Sequence, residues 1–284
     1  GHEIPKLVDF ATGTLGADVK PTLVRQLTLN EVMGMPMTVS TSIYNDEFDP
    51  TTLDPKLQLT VAYPGGPLEI LLNNTKWDHG STETPAEGST EVWEIVNFTA
   101  DAHPIHLHLV QFQVLNRQKF DAGKYASTYA MSFPAACTPQ DPMILGYCPG
   151  YGPPMDYDPA TRPTKMVPGA GTTQFEYVGG NPDVTPFLQA QPQPASPQER
   201  GWKDTVMAPP GMVTRLVVRW SPTSAPVGAT GADAAYPFSP ASVGDSTYVW
   251  HCHIIDHEDN EMMRRSEVTP LADVPRDYVQ NVDY

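Results

Sequence analysis

The chain has 284 residues and a formal net charge of -16, with 33 acidic residues against 17 lysines and arginines. A surface this acidic repels nucleic acid and anionic membranes, so the sequence predicts neither as a partner. No apolar run approaches the ~20 residues that span a bilayer, so no transmembrane helix is predicted. The 31 prolines and 21 glycines are typical of short strands joined by long loops.

Alternation of apolar and polar residues predicts strands at 22–29, 57–62, 68–72, 91–96, 105–115, 204–208 and 212–220. Residues 30–56 are interpreted as a connection, and 121–200 and 221–246 as long insertions without a convincing amphipathic helix. Seven or eight strands with long loops predict an all-β fold, a Greek-key β-sandwich. Residues 1–20 lack periodicity and are interpreted as a linker or the tail of a preceding domain. The domain itself is predicted to span 21–284.

A stretch near the end of the chain, residues 248–263, concentrates metal-ligating side chains. The apolar run before Cys252 predicts that this cysteine ends a strand, and successive strand side chains point to opposite faces. Cys252 is therefore expected to face one way, and His251 and His253 the other. Thiolate, imidazole and a weak thioether form the ligand set of a blue-copper centre, and Cys252, His257 and Met262 supply three of its four parts.

A second histidine cluster, residues 103–108, supplies the rest. His106 and His108 are two residues apart on a predicted strand, so their rings are expected to share a face. His103 has the opposite parity and is expected to turn to the other side. The alternation of side chains along the two strands therefore predicts two sites back to back. The first contains His103, Cys252, His257 and Met262, and the second contains His106, His108, His251 and His253.

Other interpretations of these residues were open. A His-x-His pair alone is also typical of a zinc site or of hydrogen-bonded core, and His-Cys-His alone of a zinc motif or a catalytic thiol. The combination, with a histidine five and a methionine ten residues after Cys252, favours copper. Met263 is an alternative axial ligand, but a packing role is favoured for it. His2 is interpreted as a terminal residue and His79 as a surface or packing residue.

The other two cysteines, Cys137 and Cys148, lie in the first insertion. A local disulfide between them is predicted, and by loop entropy it would contribute about 2–3 kcal/mol. The alternatives are two unpaired thiols or a bridge to another chain. Glycosylation sequons at Asn73 and Asn97 give weak support for a secreted or extracellular protein, with the periplasm or a spore surface as alternatives.

These motifs resemble the multicopper oxidase family, and within it the spore-coat laccases and bilirubin oxidase-like enzymes. The resemblance covers the family's C-terminal cupredoxin domain, which implies a cupredoxin-like β-sandwich for residues 21–284. It runs through residues 71–77, 83–85, 91–96, 103–109 and 201–205, and ends in His251-Cys252-His253, His257-Glu258-Asp259 and Met262. The insertions at 121–200 and 221–246 depart from the family.

The resemblance also implies roles for these residues. The type 1 copper would be held by His103, Cys252, His257 and Met262, the type 2 copper by His106, and the type 3 pair by His108, His251 and His253. It implies one-electron oxidation of phenols, aromatic amines or bilirubin-like pyrroles, with electrons passing through Cys252 to a trinuclear cluster that reduces dioxygen to water. Glu258 matches an acidic residue that feeds protons to dioxygen; the alternative is a solvated loop carboxylate.

The histidine count limits what this chain can do alone. In the family the trinuclear cluster takes half of its eight histidines from an N-terminal domain, and this chain has eight histidines in all with no further His-x-His motif. The predicted partner is therefore an N-terminal cupredoxin portion, present as a separate or cleaved chain. The alternative is a non-enzymatic blue-copper electron-transfer or copper-binding protein with only the type 1 site.

Overall fold

The computed structural model describes residues 5–34, 37–43, 57–63, 65–134, 144–145, 148, 150–155, 164–168, 174–178, 180–242, 247–279 and 282. The strands of these residues are β1 (Val8–Asp9), β2 (Thr14–Leu15), β3 (Leu23–Gly34), β4 (Met37–Ile43), β5 (Leu57–Tyr63), β6 (Gly66–Leu72), β7 (Thr90–Asn97), β8 (His103–Leu107), β9 (Phe112–Lys119), β10 (Ile144–Leu145), β11 (Thr164–Pro168), β12 (Gln174–Val178), β13 (Gln193–Pro194), β14 (Thr205–Ala208), β15 (Met212–Arg219), β16 (Tyr248–Cys252) and β17 (Met263–Ser266). The helices are α1 (Ala122–Met131) and α2 (Ile255–Glu258), with 3-10 turns at Thr185–Phe187, Pro197–Glu199 and Gly231–Ala234. The prediction of an all-β fold is confirmed.

Two sheets form the two layers of the sandwich. The large sheet has the order β11-β12-β3-β7-β15-β9-β13, and β6 and β10 also pair with β3. The small sheet has the order β14-β8-β16-β17. Two hairpins, β1-β2 and β4-β5, lie outside both sheets. The long strand β3 is the organising strand of the large sheet, since it pairs in parallel with β7 and β12 and antiparallel with β6.

The main hydrophobic core lies between the two sheets. Trp93, on β7 of the large sheet, packs edge-on against Trp250, on β16 of the small sheet, with ring centroids 5.5 Å apart. The large sheet also contributes Leu27, Leu29, Ile95, Val114, Leu216 and Val218, and the small sheet Ile105, Leu107, Val206 and Ala208. Cys252 and Met262 belong to the same core and are fully buried. Buried aromatic rings dominate such a core, because each removes a large apolar area from water.

The predicted long strand at 105–115 is wrong in one respect. β8 ends at Leu107 and belongs to the small sheet, whereas β9 begins at Phe112 and belongs to the large one. Between them Leu109 has a φ of 68°, outside the β region, and the backbone turns there. The unbroken apolar run hid this crossing, and it places His108 in a bend rather than on a strand.

The first insertion contains more structure than the sequence indicated. Helix α1 begins at the N-cap Asp121, whose side chain accepts a hydrogen bond from the backbone of Lys124. Tyr125 and Tyr129, four residues apart, are both fully buried against Phe98 of the sandwich. The expectation of no amphipathic helix was therefore wrong. The Asp cap and the i, i+4 tyrosine pair were the signals that could have identified it.

The N-terminal segment packs onto the large sheet. Leu7 and Val8 are buried, and both backbone amides donate to the side-chain oxygen of Gln113 on β9, at 3.0 and 3.1 Å. The interpretation of residues 1–20 as a linker or a preceding tail stays a prediction, but among the described residues this segment contacts the sandwich from Pro5, whose carbonyl accepts a hydrogen bond from Gln113.

The two sequons do not present accessible asparagines. Asn73 is buried and its side-chain oxygen accepts a hydrogen bond from Asn181, while Asn97 is fully buried and donates to Asp101 and Ala208. The support that the sequons gave to secretion therefore falls away, and the localisation stays a prediction. Cys148 is buried, but Cys137 lies outside the described residues, so the disulfide also stays a prediction. No helix in the described part of the chain has the length and apolar character needed to cross a membrane.

A buried carboxylate, Glu87, accepts hydrogen bonds from both the second insertion and the C-terminal segment. Its side chain is fully buried and accepts hydrogen bonds from Arg276 at 2.7 and 2.8 Å and from the backbone of Tyr236 and Leu271. Burial by itself raises the pKa of Glu87, but these hydrogen bonds outweigh it and hold the pKa below its usual value.

Glu87→Gln is expected to destabilise the fold by about 3 kcal/mol, because it leaves the guanidinium of Arg276 without its counter-charge in a mostly buried site. Because the folded-state pKa is lowered, this contribution is present above the pKa of the unfolded chain and is lost as the pH falls through the folded value. Urea unfolding measured at neutral pH and in acid checks both points. The matched control is Glu69→Gln, in the more exposed pair with Lys76, where about 0–1 kcal/mol is expected.

Candidate metal centre

The two histidine motifs meet because β8 pairs with β16. In this antiparallel register His251 lies opposite His106 and Cys252 lies opposite Ile105. The backbone amide of His253 donates to the carbonyl of Pro104 at 2.6 Å, which extends the pairing past the end of β16. Since alternate residues face opposite sides, Cys252 enters the core between the sheets, and His251 faces away from it.

The first group of ligating atoms, the inner site, consists of His103, Cys252 and His257. The Sγ of Cys252 lies 3.7 Å from the Nδ1 of His103 and 3.7 Å from the Nδ1 of His257, and the two nitrogens are 3.1 Å apart. A first-row metal ion such as zinc bonds imidazole nitrogen at about 2.0 Å and thiolate sulfur at about 2.3 Å, which separates such ligand atoms by about 3–4 Å. The three atoms therefore fit one shared ion.

Met262 is hydrogen-bonded through its backbone to two residues of the inner site, Cys252 and His257. Its backbone oxygen accepts from the amide of Cys252 and its amide donates to the carbonyl of His257, each at 3.0 Å. Its side chain is fully buried in the core that contains Cys252. The alternative axial candidate, Met263, lies opposite His251 in the β16–β17 register and is only half-buried. Paired residues share a sheet face, so Met263 belongs to the side away from Cys252.

Two residues that the sequence analysis missed contact the other nitrogen of His103. Its Nε2 lies 2.9 Å from the hydroxyl of Thr99 and 3.3 Å from the Oε1 of Glu31. Thr99 is in the loop before β8, and Glu31 is on β3, in a segment interpreted as a connection. No metal-binding motif marks either of them, so only the folded arrangement reveals the contact.

The second group, the outer site, brings together the rings of His106, His108, His251 and His253. The ring centroid of His106 lies 5.0 Å from that of His108, 5.3 Å from that of His251 and 5.6 Å from that of His253. The Nε2 atoms of His108 and His251 are 3.3 Å apart. His251 is buried, His106 is half-buried, and His108 and His253 are exposed. Half of this site therefore faces outward.

Hydrogen bonds fix two of these rings. The Nδ1 of His106 donates to the carbonyl of Asp204 at 2.9 Å and lies 3.0 Å from the hydroxyl of Thr205. The Nδ1 of His251 lies 3.1 Å from the carbonyl of Cys252 and 3.3 Å from a carboxylate oxygen of Glu258. A partner on Nδ1 leaves Nε2 free to bind a metal. Asp204 and Thr205 fall in a motif noted in the sequence, but no role had been predicted for them.

The electrostatics of both sites suit metal binding. Burial raises the pKa of the Cys252 thiol to about 11, with the charges of Glu258 and Glu31 adding to the rise. Burial, and then the neighbouring His103, lowers the pKa of His257; burial, and then His106 and His251, lowers that of His108. Both shifts favour the neutral imidazole, which is the form that binds a metal, and a bound metal would displace the thiol proton.

The structure thus brings the predicted cysteine and histidine ligands into two adjacent groups, and Met262 is buried in the core that contains Cys252. Glu258 is 28% exposed at its side chain and contacts the outer site through His251. His79 is exposed on the turn after β6. His2 lies outside the described residues.

Two imidazoles and a thiolate in the core of a β-sandwich are the ligand set of a blue-copper site, and a cluster of further imidazoles lies behind them. Residues 45–188 match the multicopper oxidase family. The chain belongs to the multicopper oxidase family and has its cupredoxin-like fold, which implies copper as the metal.

Among curated relatives, the laccase of Bacillus subtilis (strain 168) is 31% identical over 200 residues, 70% of this chain and 24% of that protein. Multicopper oxidase LPR1 of Arabidopsis thaliana is 30% identical over 202 residues, 71% of this chain and 26% of that protein. The solved structure of McoA multicopper oxidase from the hyperthermophile Aquifex aeolicus is 17% identical, covering 87% of this chain and 29% of that one, with a TM-score of 0.36. The matched part of the chain thus spans 24% to 26% of the length of these two curated relatives.

Proposed function

We propose that this chain is the C-terminal part of a laccase-like oxidase and supplies its type 1 copper site and half of a trinuclear copper cluster. The inner site would hold the type 1 copper through His103, Cys252, His257 and Met262. In the outer site His106 would bind the type 2 copper, and His108, His251 and His253 the type 3 pair. The observation that carries the proposal is the back-to-back arrangement of the two sites, joined by three consecutive residues, His251, Cys252 and His253.

Bound copper would supply one-electron oxidation of a reducing substrate at the inner site and four-electron reduction of dioxygen to water at the outer one. The half-exposed ring of His257 is the edge that a reducing substrate would reach, while Cys252 is sealed in the core. The proposed substrates are phenols, aromatic amines or bilirubin-like pyrroles. Cys252 and its two neighbouring peptide units form the covalent connection along which electrons would leave the inner site.

Glu258 is proposed to supply protons to the outer site. Its carboxylate lies 3.3 Å from the Nδ1 of His251 and remains partly exposed, so it links the outer site to solvent. The same contact holds the His251 ring with Nε2 towards His108. The contact with His251 supports this role over the alternative of a solvated carboxylate.

The remaining ligands of the cluster are proposed to come from an N-terminal cupredoxin portion docked on the small sheet. The exposed rings of His108 and His253 support this, because a closed metal cluster would need further protein on that side. The other proposed partners are dioxygen and a small aromatic reductant. Nucleic acid and membranes are not, given the net charge of -16. Residues 21–284 are proposed as the C-terminal domain of a secreted or extracellular enzyme.

The copper content of the native assembly tests the proposal. Four coppers per assembly, together with a second polypeptide detected by intact mass, are the expected result. One copper per chain and no second polypeptide would instead support a non-enzymatic blue-copper electron carrier. The exposed imidazoles of the outer site argue against the carrier, because a carrier needs only one site.

A further inference from the structure

Glu31 is a buried carboxylate next to the inner site. It lies on β3, its side chain is only 6% exposed, and its Oε1 is 3.3 Å from the Nε2 of His103. The opposite nitrogen of the same ring, Nδ1, faces Cys252 and His257 at 3.7 and 3.1 Å. The carboxylate and the proposed metal position are therefore on opposite edges of one imidazole.

Such an arrangement is a general device of metal sites. A ligating histidine donates its second N–H to a carboxylate or another oxygen, which fixes the ring and makes the ligating nitrogen more basic. Here the hydroxyl of Thr99, at 2.9 Å, is the hydrogen-bonding oxygen, and the carboxylate of Glu31 lies within ion-pairing distance of the same nitrogen, at 3.3 Å. His103 and Glu31 are both almost completely enclosed, so water screens their interaction little.

We propose that Glu31 is a positioning residue for His103 and that its charge lowers the reduction potential of the type 1 copper. This rests on the proposed function, because it assumes copper at the inner site. A negative charge stabilises the doubly charged oxidised ion more than the singly charged reduced one. The carboxylate therefore opposes reduction of the copper and makes the site a weaker oxidant than its direct ligands alone would.

Glu31 is also near the other two ligands of the inner site. The Nδ1 of His103 lies 3.7 Å from the Sγ of Cys252 and 3.1 Å from the Nδ1 of His257, so only one imidazole ring separates the carboxylate from the three ligating atoms. A charge at this distance also acts on an ion held between them.

The test is the midpoint potential of the type 1 copper in the copper-loaded protein, followed through its visible absorption during a redox titration. Glu31→Gln keeps the shape of the side chain and removes its charge, and it is expected to shift the potential upward while the blue absorption is retained. Glu267→Gln removes one charge from an exposed position and is the matched control, with no comparable shift expected.

Equal potentials in Glu31→Gln and Glu267→Gln would overturn the inference. If Glu31→Gln does not bind copper, the midpoint potential of Glu31→Asp is measured instead. A potential close to that of the unchanged protein supports the role of the charge, and a rise in Glu31→Asp despite the retained charge overturns it. Absence of the blue absorption from the unchanged protein would contradict the proposed function itself, which is a different result.

Discussion

Replacing Cys252 by serine is expected to abolish the intense thiolate-to-copper absorption and, in the assembled enzyme, all oxidase turnover. The sulfur is the only soft anionic ligand in the inner site, and a serine hydroxyl neither ionises comparably nor forms a covalent bond of the same character with copper. Its Sγ lies 3.7 Å from both imidazoles, and the group of described side chains around it contains no other thiol. Visible spectroscopy and oxygen uptake measure both effects.

The loss has to be separated from unfolding. Serine differs from cysteine by one atom, so the metal-free variant is expected to keep its thermal unfolding transition within a few degrees. The matched control is His79→Gln, which changes an exposed histidine outside both sites and is expected to keep colour and turnover. Retained blue colour in Cys252→Ser would contradict the assignment of the inner site.

The second large effect concerns the chain by itself. Purified alone and loaded with copper, it is expected to show the type 1 absorption but no reduction of dioxygen to water above a free-copper control. All proposed ligands of the inner site belong to this chain, whereas the outer site has four imidazoles, two of which are exposed. Oxygen consumption and peroxide production, followed with a phenolic reductant, measure the outcome.

Adding the N-terminal portion is expected to restore turnover without changing the blue absorption. This combination distinguishes an incomplete cluster from a misfolded chain, because misfolding would remove the colour as well. Robust four-electron turnover by a single chain of verified mass would show that the missing-ligand inference is wrong.

The division of these side chains between two groups could be predicted because it depends on strand alternation, which is local. Cys252 ends a strand, so its neighbours had to face the opposite side. His103 and His106 are an odd number of residues apart, which likewise places them on opposite sides. The fold class followed from the composition and the number of alternating segments. Both inferences needed only near neighbours in the chain.

Features that depend on distant parts of the chain could not be predicted. The bend at Leu109 carries the chain from one sheet to the other, and an apolar run has no period that marks such a change. Glu31 and Thr99 come to His103 from separate segments, so no spacing connects them. The preference for Met262 over Met263 stays a prediction, and the β16–β17 register adds a physical reason for it that the sequence could not supply.

The register of β16 against β8 has a consequence for the two environments that it separates. Cys252 is fully sealed from water, and the next residue, His253, is exposed. Two consecutive residues are therefore placed in the water-free core and in contact with solvent, respectively. A slip of one residue would exchange the faces, leaving the thiol in water and the imidazoles in the core. The register of this one strand, β16, therefore decides which of the proposed ligands are buried and which are exposed.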